Sequence, residues 1–332
     1  MSLYIAYRNL HELGQIITPD KVKRAYTQIG RYPQTLLGFF KKHNDDEFKL
    51  IGYSRSYSTY KKYDLSYRRV KEFLKLRYRK EDIYLDNLSL EFIRDYEMFL
   101  STKYELSHNT VFKMIQYLKK IVNLARDLGV IHSNPFLQHT MKWKHSDPKY
   151  LTQFELESII NKKINIKRLA AVRDIFVFST FTGLSYIDTL NLKPENIEKH
   201  NEAYWIVTRR KKTGNTVRIP LFSIPRKIIA KYADDDNQKI LLVMSNQKMN
   251  SYLKELADIC GIRKNLTFHV ARHTFAVTIM LDNGSTMETL SNVMGHRNIK
   301  NTQIYGKITQ RKVYNEMVAI ESKIDNYLRM PI

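Results

Sequence analysis

The chain has 332 residues, of which 43% are hydrophobic and 27% charged; that suffices for about two domains with cores of their own and excludes a disordered chain or a stapled mini-protein. Its 55 Lys and Arg against 33 Asp and Glu leave a formal charge of +22, most easily understood if a polyanion, commonly nucleic acid, neutralises it. Residues 1–147 carry 26 basic and 16 acidic side chains and residues 148–332 carry 29 and 17, so the excess is neither a histone-like arm nor a polybasic membrane anchor, and two basic bodies facing one polyanion are favoured over a merely solvated surface.

The first 47 residues offer only an amphipathic stretch, Pro19 to Ile29, ahead of the acidic Asp45-Asp46-Glu47 break. Tyr4 to Ile17 is interrupted by Arg8, His11 and Glu12, which is no secretion signal, and no apolar run approaches the roughly 18 residues needed to span a bilayer. A soluble, intracellular, cytoplasmic protein without a membrane partner is expected. From Ser54 onward Tyr60, Tyr63, Tyr67, Val70 and Leu74 recur at three and four, with Lys61, Lys62, Arg68, Arg69, Lys71 and Lys75 between them. That pattern predicts a helix with an aromatic core face and a basic face for duplex phosphates, rather than a base-stacking platform. Ser89 can cap a second helix bearing Phe92, Tyr96 and Phe99, and Ser107 a third that runs through Val111, Leu118, Val122 and Ala125 to Gly129. Residues 48–147 are thus expected to be a small helical domain plus a linker.

The second body, residues 148–332, opens with a capping box formed by Thr152 and Glu155. Leu169 to Phe181 is a strongly apolar helix ending at Gly183, followed by an amphipathic segment with Tyr186, Ile187, Leu190 and Leu192. Tyr204 to Arg210 and Thr216 to Leu221 read as strands joined by a turn containing Thr213, Gly214 and Asn215. Helices resume at Ser223. The last, Gln310 to Leu328, carries Val313, Met317, Ile320, Ile324 and Leu328 on one face, which either docks on a neighbouring copy or packs on its own domain. The single cysteine, Cys260, is read as a buried, inert thiol. There is no glycine-rich phosphate loop, and a mostly helical body with one basic hairpin is not a doubly wound fold.

Phe268-His269-Val270-Ala271-Arg272-His273 sets His269 and Arg272 one helical turn apart on one face, able to hold two oxygens of one phosphate. His296 follows Gly295 at a helix end, and Tyr305 lies nine residues beyond it. A phenol within reach of an arginine and two histidines can attack a phosphodiester. His269, His273 and His296 could be proposed as a metal site, but they lack a glutamate base and a cation beside Arg272 would be repelled. No metal or cofactor is expected, and His273 is read as a packed helix residue.

Taken with the glycine-terminated Thr182-Gly183-Leu184 turn and the hairpin lysine, these motifs resemble the tyrosine recombinase (phage integrase) family over residues 48–332. The resemblance implies a mainly α fold with a small β-hairpin or sheet: a helical SAM-like core-binding domain and a mixed α/β catalytic domain. It implies that Tyr305 attacks the scissile phosphate, forming a 3′-phosphotyrosyl bond and freeing a 5′-hydroxyl, with no need for ATP. Arg272 would clamp the non-bridging oxygens through its bidentate fork. His269 would help position the phosphate and move the nucleophile's proton, and His296 would support the phosphate through a ring N–H. Lys212, or Lys211 as the alternative, would protonate the leaving 5′-oxygen. The implied partners are double-stranded DNA attachment sites, three further protomers in a tetramer that passes through a Holliday junction, and accessory DNA-bending or directionality proteins. Residues 1–47 would be a reduced arm-binding region.

The departure is Ser185, which stands where the family commonly carries an arginine. Losing one such donor costs on the order of 10²–10³ in rate. The chain in this respect resembles integrases of mobile elements that lack that arginine. Arg173, in the preceding apolar helix, is a candidate replacement; alternatively it pairs with Asp174 or Glu155. Three functions follow: an active recombinase, a catalytically degenerate DNA-binding or architectural protein, and a relaxase of supercoils like the type IB topoisomerases.

Overall fold

The computed structural model describes residues 34–131, 133–145, 147–233, 239–306 and 310–324, with a few isolated positions before residue 34. Most of the Pro19 to Ile29 stretch, and with it the reading of an arm-binding region, lies outside the described residues. So does the part of the expected Gln310 to Leu328 helix that follows Ile324. The contacts divide the chain into two units between His145 and Ser146.

The first unit is built on α1 (Leu36–Lys49), α2 (Tyr57–Phe73), α3 (Leu90–Lys103) and α4 (His108–Asp127). Ser56 caps α2 by accepting the Thr59 N–H at 3.2 Å, and Ser89 caps α3 by accepting that of Phe92 at 3.1 Å. The core is aromatic at its centre: the Phe73 ring lies 5.1–5.5 Å from those of Phe92, Tyr96, Phe99 and Tyr78, pairs that contribute about 0.5–1.5 kcal/mol each beyond their burial. Leu36, Leu37, Phe39 and Phe40 of α1 are buried in this same core, so residues 36–47 share it with the helices that follow. The sequence conceals α1 because its apolar residues crowd into one turn, while the inner face of its second half is polar, with His43, Asn44 and Glu47 buried. Lys61, Lys62, Arg68, Lys71 and Lys75 are exposed along α2 and just beyond it. Arg69 departs from this face, its guanidinium lying 3.2 Å from the centre of the Tyr104 ring.

The second unit surrounds one helix. It holds α5 (Gln153–Asn161), α6 (Lys167–Thr182), α7 (Tyr186–Leu190), α8 (Ser223–Tyr232), α9 (Asn246–Ile259), α10 (Phe268–Thr274), α11 (Met287–Met294) and α12 (Gln310–Ile324). α6 is buried on every side, with Leu169, Val172, Ile175, Phe176, Val177 and Phe178 in the core and Asp174, Ser179, Thr180 and Thr182 also enclosed, as expected of a helix without a polar face. The capping box at α5 forms, with Thr152 accepting the Glu155 N–H and Glu155 the Thr152 N–H. A three-stranded antiparallel sheet runs β1 (Ile197–His200), β2 (Ala203–Arg209), β3 (Thr216–Pro220) in sequence order. The first strand is an addition to the predicted hairpin: its four residues include Glu198, Lys199 and His200 and give no apolar alternation to read. Cys260, at the end of α9, is half-buried, and that burial pushes its thiol up. Among the described residues no helix is long and apolar enough to cross a membrane.

Candidate active site

Two glycines let the backbone reach the site. Gly183 ends α6 with φ of 64°, and a Cβ there would stand 2.4 Å from the Phe275 ring; only glycine fits both the left-handed conformation and the close approach. Its carbonyl is thereby turned toward two guanidiniums. Gly295 ends α11 with φ of 65°, where a Cβ would stand 2.6 Å from Val217 and 3.0 Å from the Arg210 stem. The Gly295 carbonyl accepts from Thr213 and Asn215, each at 3.3 Å, which fixes the basic hairpin turn against the end of α11.

Arg272, on α10, donates to the carbonyls of Gly183 and Met294, the latter at 2.8 Å, and lies 3.1 Å from His296 Nε2. His296 in turn contacts Thr302 Oγ1 through Nδ1 at 2.8 Å. Tyr305 is buried, 4% exposed, with its hydroxyl 3.0 Å from His273 Nδ1. The rings of His269 and His273 meet edge to face at 4.3 Å. Ser185, Tyr186, Asn246, Asn250, His269 and Arg272 line a cleft of about 500 Å³.

Burial and mutual repulsion depress the basicity of these groups. Arg272 is lowered to about 10, chiefly by burial and then by Arg210. His273 is lowered to about 4 by burial, then by His269 and Arg272, and His296 to about 4 by burial, then by Arg272, Arg210 and Lys212. Protein around the His269 ring, then Arg272 and Lys212, lower that histidine as well. Burial raises the Tyr305 phenol, against the pull of Arg272. Asp188 is the counter-ion of Arg210 at 2.9 Å, and Arg272 and the three imidazoles beside it make a site whose protonation an anion would favour.

Five of the sequence-predicted residues thus come together: Tyr305, Arg272, His269, His296 and, by the reach of its charge to both histidines, Lys212. Lys211, the alternative, is exposed as Lys212 is, and its backbone N–H bonds to Asp188 at 2.9 Å. Ser185 lies at the cleft, but its hydroxyl is given to Asp188 at 2.7 Å. Arg173 is not brought in. It donates to Asp174 and to the Lys162 carbonyl, both at 2.9 Å, because Asp174 is buried and collects Lys231 and Tyr232 as well.

The sequence reading missed Arg210. It is 4% exposed, donates to Asp188 at 2.9 Å and to the Gly183 carbonyl at 3.2 Å, and its Nε is buried without a hydrogen-bond partner among the described residues. The signal was present: Ile206, Thr208 and Arg210 alternate along β2 and its end, and Ile206 is a core residue, so a period of two already turns Arg210 inward. His273, read as packing, touches the phenol. Among the described residues no grouping of three or more His, Cys, Asp or Glu side chains could hold a metal ion.

Residues 149–312 match the phage integrase family and residues 35–144 the phage integrase SAM-like domain. The chain belongs to the tyrosine recombinase (phage integrase) family, enzymes of site-specific DNA recombination. Tyrosine recombinase XerC of Bacillus subtilis is 26% identical over 243 residues, covering 67% of this chain and 78% of the relative. XerC of Leptospira interrogans is 23% identical over 307 residues, covering 86% and 96%. In fold the chain resembles the Tn1549 transposon integrase in complex with a circular intermediate DNA, with a TM-score of 0.67 at 18% identity over 86% of this chain and all of that one. It likewise resembles a lambda integrase dimer bound to a core site, at 0.68 and 15% identity over 83% and 97%.

Proposed function

We propose that this enzyme cleaves and rejoins duplex DNA with Tyr305 as nucleophile, through a 3′-phosphotyrosyl bond, and that Arg210 supplies the cation absent at Ser185. The observation that carries the reading is the convergence of Arg272 and Arg210 on the one carbonyl of Gly183, beside Tyr305, His296 and His269. Arg210 is held by Asp188 and shares the Gly183 carbonyl with Arg272, and its Nε has no hydrogen-bond partner among the described residues; a phosphate's non-bridging oxygens can accept from such donors. A pentacoordinate phosphorus carries more negative charge on those oxygens than the ground state does, so the same donors favour the transition state. Lys212 is the acid for the leaving 5′-oxygen, and the lysines exposed on α2 contact flanking phosphates, fixing position without reading sequence.

The enzyme acts as a tetramer on paired DNA sites through a Holliday junction, with accessory bending or directionality proteins. Support for the tetramer comes from α12, whose Val313, Met317, Ile320 and Ile324 are 46%, 58%, 47% and 37% exposed, an apolar face suited to a neighbouring copy.

A nicked suicide duplex carrying the site that the protein binds tests the reading. Denaturing electrophoresis should show a covalent adduct that disappears in Tyr305→Phe. Binding with no adduct would leave an architectural protein, and relaxation of arbitrary supercoiled plasmid would point to topoisomerase chemistry.

A further inference from the structure

We infer that His273 is the base that takes the proton of Tyr305. The inference rests on the proposal that Tyr305 is the nucleophile, and it reassigns proton transfer from His269, whose ring opens to the cleft, to a histidine that already touches the phenol.

The geometry is direct. His273 Nδ1 stands 3.0 Å from the Tyr305 hydroxyl, and the phenol is buried. Held well below its ordinary basicity, the imidazole is neutral at neutral pH, so it has one ring nitrogen bearing hydrogen and one lone pair. A phenol facing that lone pair donates, which leaves the oxygen's own lone pairs for phosphorus. A base must lie within hydrogen-bond reach of the proton it abstracts, and His273 does. It also follows Arg272 directly in sequence, so one turn of α10 fixes both the phosphate clamp and the proton acceptor.

The low basicity has identifiable causes besides burial: His269 and Arg272. A phosphodiester anion held by those two groups cancels their repulsion of a proton on His273, so the substrate raises the basicity of the group that activates its attacker. Without DNA the phenol keeps its proton and the nucleophile is quiet.

The step balances. As Tyr305 Oη bonds to phosphorus, its hydrogen passes to His273 Nδ1; the bond from phosphorus to the 5′-oxygen breaks, and that oxygen takes a proton from Lys212. On resealing, the 5′-hydroxyl returns a proton to Lys212 and attacks, the phenolate leaves, and His273 gives its proton back. No oxidant, metal or nucleotide enters.

The test compares single-turnover adduct formation by the full-length protein on two suicide duplexes, one with an ordinary scissile phosphate and one with sulfur at the bridging 5′ position. Sulfur leaves without protonation, so it rescues a lost acid but not a lost base. His273→Ala should slow adduct formation by about 10²–10⁴-fold on both duplexes, while Lys212→Ala is slow only on the oxygen duplex. His273→Asn can still accept from the phenol but cannot take its proton, and should stay as slow as the alanine variant. Unchanged duplex affinity in each variant shows that the fold is intact. A His273→Asn rate near wild type would make the contact mere positioning and overturn the inference. So would His273→Ala at or above the wild-type rate, or a rescue of His273→Ala by sulfur. If wild-type protein forms no Tyr305-dependent adduct, the underlying reading fails, and the inference with it.

Discussion

Arg272 fixes the proton of His296. A guanidinium has hydrogens and no acceptor, so the 3.1 Å contact at Nε2 is a donation from Arg272. The imidazole hydrogen must then sit on Nδ1, where it is donated to Thr302 Oγ1 at 2.8 Å. The sequence reading had His296 offering a ring N–H to the phosphate. In the protein alone that nitrogen is an acceptor, so on the proposed reading it can donate to the phosphate only once Arg272 has left it and His296 has taken a proton.

Thr302 is fully buried and its carbonyl accepts the Tyr305 N–H at 2.9 Å, so its hydroxyl links the histidine to the turn that carries Tyr305. Thr302→Val keeps the volume and removes the acceptor, leaving the Nδ1 hydrogen unpaired at a cost of about 1–3 kcal/mol. Urea unfolding should show that loss, and adduct formation should slow. An unchanged midpoint would mean that water replaces the hydroxyl without penalty.

Arg210→Ala should lower folding stability, because it leaves the buried Asp188 carboxylate without its cation, and should reduce single-turnover cleavage by the folded fraction by about 10²–10³-fold, with duplex affinity little altered. Arg173→Ala should leave cleavage close to wild type, since its guanidinium serves Asp174 and Lys162. If the second substitution abolishes cleavage and the first spares it, the assignment of the cation is reversed.

The depressed histidines make a signed prediction. An imidazole titrates near 6.5 in the unfolded chain, whereas His273 and His296 titrate at about 4 in the folded protein. Above pH 6.5 both states are neutral and no penalty exists. Between 6.5 and 4 the unfolded chain takes up protons that the folded one refuses, so stability falls as pH falls. Thermal unfolding should therefore weaken from pH 7.5 to 4.5. Duplex binding restores basicity to these rings, so calorimetry at pH 5–6 in buffers of different ionisation enthalpy should register proton uptake on binding, and zero uptake would contradict this.

Gly183→Ala places a Cβ in a left-handed conformation and into the Phe275 ring, costing about 2–4 kcal/mol in folding stability. The folded fraction should also cleave slowly, because the carbonyl shared by Arg272 and Arg210 shifts. Denaturant titration and adduct yield report the two effects separately.

Truncating the chain after Glu316 removes most of the exposed apolar face of α12. Core-site binding by single protomers should persist while synapsis, read as paired-site complexes in native gels, is lost. Equal loss of both would place the helix on its own domain.

Residues whose partners are near in sequence were legible before the fold was known. His269 and Arg272 share a turn by spacing alone, and the caps at Ser89 and Thr152 announce themselves within three residues. Arg210 was harder, because its role depends on β2 register and on Asp188, 22 residues away. The contact of His273 with Tyr305 is not legible in the sequence, since the two lie 32 residues apart. β1 and the polar half of α1 were hidden for a different reason: β1 is half-buried to exposed and mostly polar, and the buried face of that half of α1 is polar, so neither shows apolar periodicity.

The carboxylate of Asp188 accepts from Ser185, from Arg210 and from the Lys211 backbone, and so couples those positions energetically. Placing an arginine at 185 alone would crowd a third guanidinium against Arg210 and Arg272 with no added counter-charge. Removing Arg210 alone would strand a buried Asp188. One carboxylate thus serves both positions, so a change at Ser185 and a change at Arg210 are not independent: a double substitution should depart from the sum of the two single ones.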